Sequence, residues 1–263
     1  MPSPTWALAL AELIYHIPAS VPVVYCFWKH RKVGISGWLF LTAFVLLQIV
    51  GSGLTLSAGE NGRPSTIAIT ITSVGLSPLI LADAGIVKEW SKLAGFLSSK
   101  KAKKWATACE IIYHIAVITA IAIYATGASD AAAGDSSGNT KWRVGIILLL
   151  LLWVVLVGVF TLLALKIRLN TARPLFWSIC IAHALVGLRV IYQCIATFNK
   201  NQGSFNPVTG SIALTVIFQF LPGALTLMAL VTGGVMSLEQ VTKAYAPTHG
   251  DIPMVSRNDD AAY

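Results

Sequence analysis

Seven ionisable residues stand inside long apolar runs of this chain: Glu12, His16, Asp83, Glu110, His114, His183 and Arg189. Such side chains are costly in hydrocarbon, so they turn toward a bundle interior and mark candidate sites. Glu12, Tyr15 and His16 stand at i, i+3 and i+4, on one helix face, and Glu110, Tyr113 and His114 repeat that spacing. A carboxyl with an imidazole beside it suits proton transfer, the imidazole adjusting which group holds the proton. Glu12, His16, Glu110 and His114 are therefore the candidate catalytic residues. Arg189 and Tyr192 share a face of another run, and Arg189 has the charge to anchor an acidic ligand group. With Tyr15 and the uncharged amides Gln48 and Gln219, they make up the candidate ligand-binding set.

Each assignment has a structural competitor. By helix rise, Glu12 and Arg189 fall at similar depth in the outer half, where they could simply neutralise each other as a packing ion pair. Glu110 could hydrogen-bond His114 or His183 between helices. Asp83 falls toward the cytoplasmic interface, where it could snorkel.

The elements that position these residues follow from composition. The chain has 263 residues, 56% apolar and 11% charged, with a mean hydropathy of +0.72. Soluble domains carry about 25% charged residues, so lipid is the indicated solvent. A bilayer core needs about 20 mainly apolar residues per helix. Seven runs qualify, near Trp6–Trp28, Ser36–Ser57, Thr66–Val87, Trp105–Thr126, Val144–Leu165, Pro174–Phe198 and Ser211–Val235. Turn and polar residues at Gly59–Pro64, Gly127–Thr140 and Asn199–Gly210 read as breaks between runs. The fold expected is an all-α bundle of seven transmembrane helices over residues 1–236, followed by a polar cytoplasmic tail over 237–263.

The formal charge of +8 sits in short loops between apolar runs, which fits a membrane rim and not nucleic acid. Fourteen Lys and Arg fall on the side of the first, third and fifth loops and the C-terminal tail, against four on the other. That bias places the C-terminus in the cytoplasm and the N-terminus outside. Lys100–Lys104 reads as a solvated topogenic loop, with anionic lipid headgroups as the partner it could attract. The four cysteines lie in or at the ends of apolar runs and read as buried free thiols.

Several functions lack their residues. The seventh run has no Lys for a retinal Schiff base, and Lys88-Glu89-Trp90 follows the third run in place of Asp-Arg-Tyr. Asn206-Pro207 falls in a loop, and no cysteine pair is placed for an extracellular disulfide, which argues against a rhodopsin-like receptor. No P-loop, His-Glu-x-x-His or Cys-His cluster occurs, so no cofactor or metal is expected.

The shared Glu-x-x-Tyr-His of runs one and four, with Pro78 and Pro222 placed to kink runs three and seven, raises a duplicated unit as one reading. The stretches Glu12–Ile17, Gly37-Trp38-Leu39-Phe40, Ser73-Val74-Gly75-Leu76-Ser77-Pro78-Leu79 and Leu188-Arg189-Val190-Ile191-Tyr192 resemble an uncharacterised family of fungal seven-helix membrane proteins. Members often carry Arg in span two and Glu in span seven, where this chain holds Gln48 and Gln219. The resemblance implies a fungal source and no established activity, with some relatives encoded near secondary-metabolite genes. The expectation is a multi-pass protein that acts on or binds a lipophilic small molecule, as an intramembrane acid–base enzyme of the terpenoid cyclase or isomerase type. The alternatives are a receptor or carrier for an acidic lipophilic ligand, and a structural membrane protein.

Overall fold

The computed structural model describes residues 3–30, 34–59, 71, 74–97, 99–132, 135–167, 172–199 and 211–245. Among them the chain is helical, without strands. The helices are α1 (Pro4–His30), α2 (Ile35–Ser57), α3 (Leu76–Leu93), α4 (Lys100–Ala132), α5 (Ser136–Lys166) and α6 (Arg173–Phe198). The last, α7, opens as Ile212–Thr215, passes through a π-helical turn at Val216–Phe220 and continues as Leu221–Tyr245. Six of these, all but α3, are long and apolar enough to cross a membrane.

The bundle exposes large apolar side chains and buries charged ones within an otherwise apolar core. Ile14, Val21, Ile112, Leu151, Leu162 and Leu165 are exposed, whereas Glu12, His16, Asp83, Glu89, His183 and Arg189 are buried. A soluble fold cannot keep such an exterior in water, and a lipid bilayer accommodates it. α3 makes the point most strongly. It carries Asp83, Lys88, Glu89 and Lys92, and it packs against α2, α4, α5, α6 and α7. Fourteen of its 18 residues are buried. This charged helix takes the central place because its neighbours, not lipid, can answer its charges. Glycines allow the close approach: a Cβ on Gly85 would run into the backbone of Gly37 in α2, and one on Gly37 into Ile86.

The third span departs from the sequence reading. Positions 66–70, 72 and 73 lie outside the described residues, and the helix beyond them runs past Val87 to Leu93. Lys88-Glu89-Trp90 is therefore helix, not loop, because Glu89 and Trp90 are fully buried. The helix stops where Gly95 (φ 79°) and Phe96 return their N–H groups to Lys92 O and Ser91 O at 3.0 and 3.1 Å. Pro78 stands in the first turn of α3, where a helix tolerates proline, and the stretch before it that it would kink lies largely outside the described residues. Pro222 does disturb its helix, directly after the π-helical turn.

Two further boundaries shift. Lys100–Lys104 lies in the first turns of α4, and the break at Gly127–Thr140 shrinks to the neighbourhood of Asp135. Asp135 caps α5 by accepting from Ser137 N at 2.8 Å, and those Ser137 bonds hold its carboxyl below the usual aspartate range. The expected tail over 237–263 begins as helix, since α7 runs on to Tyr245; its remainder from 246 and the breaks at 60–64 and 200–210 lie outside the described residues. Only Cys26 is buried. Cys109 is exposed, and Cys180 and Cys194, both on α6, are half-buried.

Candidate functional site

The upper half of the bundle, where α1 begins, holds the strongest candidate. Glu12 and His16 project from α1, Gln48 and Phe44 from α2, Arg189 from α6 and Gln219 from the π-helical turn of α7, around one small cavity. Its volume of about 10 Å³ holds roughly one water molecule. Ser52 Oγ donates to Glu12 Oε2 at 2.7 Å. His16 Nδ1 lies 2.8 Å from the Glu12 backbone oxygen, an acceptor, so Nδ1 carries the hydrogen. His16 Nε2 is left buried without a partner.

Arg189 is 3% exposed, with its guanidinium carbon 5.6 Å from the centre of the Phe44 ring. Gly223 makes room for it: a Cβ there would fall 2.8 Å from Arg189 Nη1. Glu12 and Arg189 face the same cavity but make no contact ion pair. Among the described residues no Arg189 nitrogen lies within 4.0 Å of a carboxylate oxygen. The space between them is what the cavity occupies. Tyr15 turns away to donate to Ala224 O at 2.7 Å, and Tyr192 stacks on Phe218 with centroids 5.4 Å apart. Both support α7 from outside the cavity.

Glu110 and His114 lie toward the other end, on α4. Glu110 pairs with Lys88 of α3 and accepts from Ser36 Oγ at 2.7 Å, so its partners are neither His114 nor His183. His114 rests against the Phe40 ring at 5.0 Å. The Glu-x-x-Tyr-His repeat does place similar tyrosines, since Tyr113 also donates to a neighbouring helix, at Leu152 O, 3.1 Å. Midway down the bundle, Asp83 does not snorkel. It is fully buried, with Oδ2 2.6 Å from His183 Nδ1, close enough for an ion pair but out of line for a hydrogen bond.

A cluster at the lower end escaped the sequence reading. His30 at the end of α1 contacts the Glu89 carboxylate of α3 through Nδ1 and the Gly234 carbonyl of α7 through Nε2 at 3.1 Å. Trp38 Nε1 of α2 donates to the other Glu89 oxygen at 2.8 Å. All three side chains are fully buried. Their neighbours Lys29 and Lys88 made them look like rim residues; Gly95, a helix-stop signal six residues past Glu89, was the clue that the helix continues.

Among the described residues a carboxylate meets an imidazole at two depths, Asp83 with His183 and Glu89 with His30, whereas His16 meets Glu12 only at its backbone oxygen. Asp83 and Glu89 are about 9 Å apart along α3 at 1.5 Å per residue. No cluster of three or more His, Cys, Asp or Glu suited to a metal occurs among the described residues.

An all-helical bundle with a lipid-facing apolar exterior and buried charges is a multi-pass membrane protein. The chain matches the model of a domain of unknown function, DUF7702, over residues 5–240, and it belongs to that family. No curated protein and no solved structure matches it.

Proposed function

We propose that the protein binds a small acidic, lipophilic molecule in the outer half of a seven-span bundle, as a receptor or carrier whose binding is coupled to a proton. α3 is the seventh span, and the basic bias of the sequence puts α1's start outside. The observation that carries this reading is the upper cavity, where Arg189 and Glu12 are both buried and face one space without touching. A buried guanidinium calls for a counter-charge. With the site empty, Glu12 supplies it across the cavity. A ligand carboxylate at Arg189 takes over that role, and Glu12 then takes up a proton, so the site stays neutral. His16 Nε2, a partnerless base, is placed to pass that proton. α7 is the element that yields to admit a ligand, at its π-helical turn beside Pro222.

The enzyme reading has one observation of its own. An open groove of about 730 Å³ between α6 and α7, lined by Trp177, Ile181, Leu225 and Met228, has the volume and apolar walls for a lipophilic substrate. It lies on the lipid face, apart from Glu12 and His16, so the acid–base pair does not reach it.

The test is saturable binding of radiolabelled octanoate and decanoate to detergent-purified protein. Binding that is lost in Arg189→Met, and that stays but loses its pH dependence in Glu12→Gln, is expected. Equal binding by wild type and Arg189→Met, or none by either, overturns the proposal.

A further inference from the structure

We infer that His30 and Glu89 form a proton-binding site that clamps the lower end of the bundle, closed while it holds one shared proton and released when that proton leaves. The inference does not depend on what occupies the upper cavity. Its ground is the pattern of donors and acceptors. His30 Nε2 faces a backbone carbonyl, which only accepts, so Nε2 carries a hydrogen. His30 Nδ1 is in hydrogen-bond contact with Glu89 Oε1, so a second hydrogen lies between them. The proton resides on nitrogen, as imidazolium and carboxylate, or on oxygen, as imidazole and carboxylic acid. The net charge is the same in both. Remove that proton and, whichever tautomer remains, a bare ring nitrogen faces either the Glu89 carboxylate or the Gly234 carbonyl, and that contact turns repulsive.

Glu89 has little room to escape. Trp38 holds its second oxygen, and a Cβ on Gly34 would collide with the carboxylate. Gly234, whose carbonyl His30 grips, packs against the Trp38 ring so closely that a Cβ there would strike it. Four helices, α1, α2, α3 and α7, therefore meet through this one proton. Repulsion is relieved by His30 leaving that acceptor, which loosens the end of α1 from α3 or from α7.

Few other charges face the pair. On α1, Cys26 lies one turn before His30, and Lys29 sits over the Tyr25 ring at 5.7 Å. On α3, Lys88 is paired with Glu110 of α4, and Lys92 feels both Glu89 and Glu110. On α7, Glu239 and Lys243 pair with each other at 2.6 Å in an exposed position, and α2 presents only Trp38.

Cys26 is a built-in reporter. It is fully buried between α1 and α7, with Sγ 4.0 Å from Val231 O. In full-length protein with Cys109, Cys180 and Cys194 changed to Ala, N-ethylmaleimide labelling of Cys26 in membranes is measured from pH 5.5 to 8.5. Each rate is divided by that of the SDS-denatured protein at the same pH, which removes the thiol's own titration. The normalised rate should rise at least tenfold across the range. Glu89→Gln keeps the acceptor for Trp38 and supplies an N–H to His30 Nδ1, so it should label slowly at every pH. Glu89→Ala should label rapidly at every pH. A flat wild-type profile, or a Glu89→Gln profile that rises like wild type, overturns the inference.

Discussion

Replacing Glu12 with Gln removes one charge from the upper cavity and almost no volume. The amide oxygen still accepts from Ser52, so the 2.7 Å hydrogen bond survives and the change reports on charge. Arg189, 3% exposed, becomes a buried cation without a counter-charge. The two charges lie beyond 4.0 Å. At an effective dielectric of about 20 the attraction lost is at most about 4 kcal/mol. Breaking a buried pair costs about 3–5 kcal/mol where the partners touch, so about 2–4 kcal/mol is expected across a hydrated gap. At about 2–4 °C per kcal/mol for a chain of this size, the melting temperature should fall by roughly 4–16 °C. The assay is intrinsic-fluorescence unfolding in detergent micelles, read beside abundance in membranes. Arg189→Met alone strands Glu12 and should also destabilise, whereas the double variant holds no charge in the cavity and should recover most of the loss. A double variant whose loss equals the sum of the two single losses would mean that the charges are uncoupled, and the argument from their shared cavity would fail.

Ser52→Ala should cost roughly 1.5–3 kcal/mol in wild type, the worth of a hydrogen bond to a charged group, and clearly less when Glu12 is already Gln; the same melting assay reads the difference. Gly85→Val forces a side chain into the Gly37 backbone and should sharply reduce abundance, whereas Gly53→Ala, with nothing within 4 Å of its new Cβ, should leave abundance unchanged. Lys88→Met should destabilise by roughly 1–3 kcal/mol, between the worth of an exposed and a buried pair, with Lys88→Met/Glu110→Gln recovering most of it. A reporter fused to the C-terminus should read as cytoplasmic, and glycosylation of that reporter in the lumen would contradict the assigned direction of the spans.

Six of the long apolar helices were legible because lipid imposes a simple rule of long apolar runs with rare charges between them. The upper cavity was legible for the same reason: Glu12, His16, Gln48, Arg189 and Gln219 are polar residues with no excuse at that depth, and the fold brings all five together. What the rule hides is a charged helix enclosed by other helices. α3 is shielded by its neighbours, so charge was no reason for it to stop at Val87. Reading Lys88 and Glu89 as loop removed the His30 cluster from view and sent Glu110 to the wrong partners. Helix spacing also fixes a face but not its direction within the bundle. Tyr15 and Tyr192 share faces with Glu12 and Arg189, yet each turns to brace α7.

The insulation of α3 bears on how the chain enters the membrane in the first place. Asp and Lys each oppose insertion by about 2.5–3.5 kcal/mol at the centre of a lone helix, and α3 has Asp83 at its middle and three more charges in its last two turns. A segment of that kind cannot settle in lipid on its own as it leaves the ribosome. α2 can receive it, through the Gly37–Gly85 crossing and the Trp38 bond to Glu89, but the partners of Asp83 and Lys88 lie on α6 and α4, which are synthesised later. Between those moments the nascent chain needs a polar shelter beside the bilayer. The helix that organises the finished bundle thus meets its last ion-pair partner, His183, only once α6 has been made.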